Sequence, residues 1–265
     1  MDWTDAARVA TTTLVGFGAG VLSALLGVGG AVVTTPAVRV LGATPIQAVG
    51  STVPAILPGA ISGTLRYARE GLVDWRAALG LGIAGSAFAV VGALTSDLVG
   101  GGALMVLTAV LMLWSGISVV RGGRRADAVG PPTDAPSGSS PRRHPIPLLA
   151  GLGAASGFVA GLLGVGGGIV MVPVLTGPLK VPMKSAVASS LVAVAIFSVP
   201  VLVTHTVLGH IDWAYALPLM VGVVPGARVG AHLTIGSSER TIRMLFGALI
   251  MVLAVIYGAS ELVAL

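Results

Sequence analysis

The chain has 265 residues, of which 55% are hydrophobic and 9% charged. Soluble domains carry about a quarter charged residues, so a water-soluble fold is excluded and the composition is that of a polytopic membrane protein. The net charge of +5 then reports membrane topology and not nucleic-acid binding, and the absence of cysteine rules out disulfides, Fe–S clusters and thiolate-bound metals.

The first apolar segment covers residues 9–41. Its opening run behind Arg8 has the outline of a signal peptide, but the same run recurs inside the chain and is assigned to the mature fold. As one helix it would exceed about 45 Å at 1.5 Å per residue. It is cut by Gly27-Val28-Gly29-Gly30, with Pro36 beyond. This pattern predicts a helix, a glycine break inside the membrane, and a short half-helix. Backbone of that kind at membrane depth survives only where it is buried or lines a cavity. Three further apolar segments follow at 46–65, 75–94 and 101–120, each near the length that spans a bilayer. Their continuous apolar character excludes a β-barrel, whose strands alternate.

Residues 121–147 hold Arg121, Arg124, Arg125, Arg142 and Arg143 among Gly, Pro and Ser, the composition of a solvated linker. After it the pattern repeats, at 146–179, 185–203, 213–235 and 242–263. The repeat is literal. Leu25-Leu26-Gly27-Val28-Gly29-Gly30 returns as Leu162-Leu163-Gly164-Val165-Gly166-Gly167 at an offset of 137, and Pro36 and Pro45 return as Pro173 and Pro182. The blocks 48–52 and 71–75 return at 186–190 and 209–213, at an offset of 138. The chain is therefore a duplication: a first membrane repeat at 1–122, a basic cytoplasmic linker at 123–144, and a second repeat at 145–265. The expected fold is all-α and polytopic, each half having one glycine-broken segment and three spanning helices.

Charge orients the halves. If each long segment crossed once, nine Lys/Arg would lie inside and five outside; if each returns to its own side, the count becomes twelve and two, with Arg228 intramembrane either way. The positive-inside rule favours the second scheme, with inverted halves and both termini outside. Inverted repeats with broken helices place a substrate site at the breaks in secondary transporters.

The candidate site begins with the breaks, Gly27, Gly29 and Gly30 and their counterparts Gly164, Gly166, Gly167 and Gly168. Glycine permits close approach, and a half-helix starting there offers N–H groups and a positive dipole end to an anion. The alternative for such residues is helix packing, which is the reading for the four-residue spacings Gly16/Gly20/Ala24 and Gly153/Gly157/Gly161 upstream. Ser51, Thr52, Ser189 and Ser190 occupy equivalent places and either bind oxyanions or bond their own helix carbonyls. Arg228, with His232 one turn on, is a charge inside an apolar segment, hence a site candidate unless it snorkels to the interface. Asp74-Trp75 and Asp212-Trp213 have the form of helix starts at the interface. His205 and His210 are either loop residues or proton carriers. No Asp or Glu lies mid-segment, which disfavours cation transport. There is no HExxH, no Walker loop and no hydrolytic triad order, so no enzyme activity and no cofactor are expected.

The duplicated motifs, Gly20 to Pro36 (GVLSALLGVGGAVVTTP) and Gly157 to Pro173 (GFVAGLLGVGGGIVMVP), resemble the sulfite exporter TauE/SafE family, as do the hydroxyl blocks near Ser51 and Ser189 and the Gly-x-x-Asp-Trp blocks. The resemblance spans nearly all of the chain outside the linker. It implies a multi-pass protein of the bacterial cytoplasmic membrane that moves sulfite, a sulfonate or a related organic acid. The first motif departs from full glycine at Ala31, where the second has Gly168. An anion channel, a transporter of a non-sulfur carboxylate, and a membrane scaffold are the competing readings. Expected partners are a small anion and the bilayer, with protons as a candidate coupling ion, a homodimer permitted by small-residue faces, and no nucleic acid.

Overall fold

The computed structural model describes residues 6–96, 98–129, 145–164 and 167–262. Those residues are all-helical. In order the helices are α1 (Ala6–Leu26), α2 (Ala31–Val40), α3 (Pro45–Arg69), α4 (Trp75–Ser96), α5 (Gly101–Val129), α6 (Ile146–Leu163), α7 (Gly168–Thr176), α8 (Met183–Val207), α9 (Trp213–Gly236) and α10 (Glu239–Leu262). Eight are long and apolar enough to cross a membrane, the exceptions being the short α2 and α7. Each half thus has a long helix, a break, a half-helix and three more long helices. Helix α5 runs past residue 122, where the sequence places the start of the linker; residues 130–144 lie outside the described residues.

Side-chain chemistry sets the helix starts. Thr44 accepts from the Gln47 N–H while Gln47 accepts from the Thr44 N–H, a reciprocal cap for α3 with Pro45 in its first turn. Asp212 caps α9 through the Ala214 N–H at 2.9 Å, and Asp74 accepts from Ala77 N–H at 3.0 Å to do the same for α4, as the Asp-Trp motifs predict. The Glu239 carboxylate accepts from the Met183 N–H at 2.6 Å and the Lys184 N–H at 3.2 Å, tying the start of α10 to the start of α8.

Two glycine seams make the core. On one, Gly222, Gly226 and Gly230 of α9 lie against the backbone of Thr13, Phe17 and Val21 of α1. On the other, Gly153, Gly157 and Gly161 of α6 lie against Leu81, Gly85 and Ala89 of α4. A methyl group at any of these six glycines would overlap facing backbone, so the seams exist because the residues lack a Cβ. Such contact gives a strong van der Waals fit where lipid supplies no hydrophobic drive between helices. The small-residue stripes read from the sequence are these seams, and each joins the first helix of one half to the third long helix of the other.

The seams also give direction. Residue numbers rise together across α1 and α9, and across α4 and α6, so both pairs are parallel. The same holds for α3 with α9, where Ser51 meets Asp212 and Ser62 meets Val224. It holds again for α4 with α8, where Asp74 meets Ser189 and Gly82 meets Ile196. Helix α2 doubles back on α3 through a short turn that leaves Thr35 beside Thr52. Since α1 and α3 run the same way, with Tyr67 Oη donating to the Ala24 carbonyl at 2.7 Å, α2 also reverses the direction of α1. The long first segment is a hairpin.

Candidate functional site

At the first break α1 ends as the Gly27 N–H closes on the Ser23 carbonyl at 2.7 Å. Gly27, Gly29 and Gly30 then take φ of +73, +84 and +81°, conformations costly for residues with a Cβ. Gly30 is the N-cap of α2, and its carbonyl accepts from the Val33 and Thr34 N–H groups. The N–H groups ahead of these have no partner in their own turn. The second break is built alike. Gly164, at φ +62°, closes α6, and Gly167, at φ +63°, is the N-cap of α7. Gly166 lies outside the described residues.

The two breaks touch. A Cβ on Gly168 would overlap the Gly27 carbonyl and the Val28 Cα. The Gly27 carbonyl also accepts from Ser190 Oγ at 2.8 Å, and that hydroxyl reaches the Val187 carbonyl at 2.9 Å. The other half is not a copy of this arrangement. Its counterpart Thr52 donates to Val49 carbonyl at 2.9 Å and lies 3.3 Å from Thr35 Oγ1, while Val49 Cγ1 crowds Gly164. Ala31, buried at 1% exposure, supplies a methyl where Gly168 has none. The departure seen in the sequence is therefore the point at which the close approach is one-sided.

Ser51 and Ser189 are buried and held elsewhere. Ser51 Oγ accepts from the Asp212 N–H, and Ser189 Oγ from the Asp74 N–H, each at 2.8 Å. Each serine thus latches the cap residue of a helix in the opposite half. Arg228 does not join the breaks. It is exposed on the outer face of α9 with Val229, His232 and Leu233, so this conformation does not bring the candidate Arg228 to the breaks. The physical reason is the seam itself: Gly222, Gly226 and Gly230 take the inner face, which turns residue 228 outward. His205 and His210 come together, Nδ1 to Nδ1 at 3.0 Å, at the end of α8.

The surroundings of the breaks are neutral. Among the described residues no Lys, Arg, Asp or Glu is buried; the buried polar groups are Ser, Thr and Tyr hydroxyls and His205. A void of about 10 Å³ between Ile56, Ala160, Gly164, Phe197, Ser198 and Val201 adjoins the second break, room for about one water, so the second break is tightly packed on that side. A larger hollow of about 360 Å³ lies at the end of the bundle where α3 starts, between Pro45, Ile46, Ser96, Leu104 and His210. The sequence reading missed two tyrosines that position the breaks. Tyr67 holds the Ala24 carbonyl at the end of α1, and Tyr257 donates to the Val32 carbonyl in the first turn of α2 at 3.1 Å. Their partners are backbone atoms, which leave no pattern in a sequence.

The family model described as Sulfite exporter TauE/SafE matches residues 12–257. Among curated proteins, the probable membrane transporter protein YunE of Bacillus subtilis is 28% identical, covering 88% of this chain and 90% of its own length. A probable membrane transporter protein of Xylella fastidiosa strain 9a5c is 30% identical, over 91% and 90%. The probable membrane transporter protein MJ0441 of Methanocaldococcus jannaschii is 23% identical, over 91% of each chain. No solved structure gives a significant match.

Proposed function

The chain belongs to the sulfite exporter TauE/SafE family, a family of membrane transporters, and from that premise we propose that it is a secondary transporter for a small sulfur-containing anion such as sulfite or a sulfonate, acting in the bacterial cytoplasmic membrane. The observation that carries the reading is the meeting of two glycine breaks at Gly27 and Gly168, buried in a neutral interior with a half-helix starting at each. Half-helix N-termini at broken helices are suited to anionic groups. Anion binding there needs no buried cation, and none is present among the described residues.

The two halves act as inverted repeats in this reading, because the equivalent pairs α3 and α8, and α5 and α10, run antiparallel. The units that rock are not the sequence halves, since the glycine seams join helices across them. One unit is α1, α2, α3 and α9; the other is α6, α7, α8 and α4. The breaks lie where the units meet, along α3 and α8.

Reconstitution into liposomes tests the function. Saturable flux of sulfite or a sulfonate, lost in Gly168→Leu protein that still purifies as a folded monodisperse species, is the expected result. Non-saturating anion flux at channel rates indicates a channel. Flux of a dicarboxylate alone removes sulfur from the reading, and no flux of any anion leaves a scaffold.

A further inference from the structure

Ser23 carries a hydroxyl that the fold does not use. Elsewhere on α1 the hydroxyls of Thr11, Thr12 and Thr13 turn back onto the carbonyl four residues earlier, at 2.8, 2.8 and 2.9 Å. In the core Ser62, Ser115 and Ser190 each donate to a carbonyl on another element. Ser23 Oγ does neither. It is buried, at 1% residue exposure, and finds no hydrogen-bond partner among the described residues. It faces the first break, 3.6 Å from the position a Cβ on Gly30 would take, where every neighbour stands at 3.4 Å or more. Gly30 is the N-cap of the ten-residue helix α2, so an idle donor stands beside the residue from which that helix opens. The first half also holds Thr64 Oγ1 without a partner, and the second half holds one idle buried hydroxyl, Ser156 Oγ. At the repeat offset of 137 it occupies the place of Ala19, whose carbonyl flanks Gly30 on the same side as Ser23. A buried hydroxyl left unbonded is a cost to folding, and Ser23 bears it next to the first break.

The charge that such a site tolerates is bounded. A helix N-terminus supplies roughly half an elementary charge, so α2 and α7 together supply at most about one. No charged side chain is buried among the described residues to add to it. A doubly charged solute would keep about one charge uncompensated in an apolar interior, which is strongly unfavourable.

We propose that Ser23 Oγ and the N–H groups opening α2 bind the oxyanion head of a singly charged solute, a sulfonate or a carboxylate, in preference to a dianion. The inference rests on the anion-transport reading and adds to it a ligand residue and a charge state.

The test is thermal unfolding of the purified full-length protein titrated with methanesulfonate, acetate or sulfate at matched ionic strength. Methanesulfonate is expected to raise the melting temperature saturably, and sulfate to leave it unchanged. A matching response to acetate extends the site to carboxylates, and its absence restricts the site to sulfonates. Without anion, Ser23→Ala should melt at or above the wild-type temperature, because it removes an unbonded hydroxyl. Its apparent affinity for methanesulfonate should fall about tenfold or more. Ser23→Cys, which keeps the shape with a weak donor, should fall likewise and serves if the alanine variant does not fold. Unchanged affinity in both variants, or clear destabilisation of Ser23→Ala, overturns the assignment of Ser23. Equal binding of sulfate overturns the charge state. Failure of every anion to bind the wild type, together with absent flux, overturns the anion reading itself.

Discussion

Ser51 and Ser189 show how a residue can suit one role and fill another. Both are buried hydroxyls at equivalent places in the two halves, yet each accepts the cap N–H of Asp212 or Asp74 across the two halves. Replacing either by alanine leaves that N–H unpaired, a loss of about 1–3 kcal/mol. Chemical unfolding of Ser51→Ala and Ser189→Ala is expected to show that loss in each, with apparent methanesulfonate affinity unchanged; lost affinity without lost stability would return them to the binding site. Arg228 gives the converse case. It faces outward with Val229 and Leu233, and Arg228→Ala should keep wild-type flux in liposomes. A fall of tenfold or more would place it in the path. The glycines of the site are legible in the sequence because positive φ and close approach demand glycine. Ser23 is not, since what marks it is a bond it fails to make, and only coordinates record that.

At the scale of elements, the duplication, the breaks and the packing stripes are all readable from residue spacing. Gly222, Gly226 and Gly230 announce a seam, but not its partner, because any small-residue face can accept any backbone. The partner turns out to lie in the other half, and this decides what moves. A helix pair in backbone contact slides poorly, whereas α3 and α8 meet through side chains such as Leu191 against Gly63. The chain has no cysteine, so disulfides can be placed on a clean background. A Cβ placed on Gly59 would stand 3.8 Å from Val223 Cβ within one unit, and one placed on Gly63 would stand 2.9 Å from Leu191 Cδ1 between units. The first separation is that of a disulfide, and the second pair, whose contact is made by the tip of the leucine, is spanned by a short reducible bis-thiol crosslinker. Oxidised Gly59→Cys/Val223→Cys protein should transport normally, and crosslinked Gly63→Cys/Leu191→Cys protein should stop and recover on reduction. Arrest by the first pair with free passage by the second would show that the sequence halves move as units after all.

For the whole molecule the helix directions convert sequence charge into sidedness. The end of the bundle where α3, α5, α7 and α9 finish and α4, α6, α8 and α10 begin carries Arg66, Arg69, Arg76, Arg121, Lys180, Lys184, Arg240 and Arg243. The opposite end carries Arg8 and Arg39, with Arg8 stacked on Tyr215 at 4.3 Å. The imbalance arises because each hairpin returns its half-helix to the side it came from. That puts the α7–α8 turn with Lys180 on the basic side and the α2–α3 turn near Arg39 on the other. Had the first segments crossed, the excess would shrink, so hairpin and charge bias support one another. By the positive-inside rule the basic end is expected to face the cytoplasm. Single-cysteine labelling with an impermeant maleimide tests this directly. Arg69→Cys and Lys180→Cys should react only in inside-out vesicles, and Gly42→Cys, at the turn after α2, only in right-side-out ones. Labelling of positions 42 and 180 from one face would refute the hairpins, and with them the meeting of the two breaks from opposite sides of the membrane.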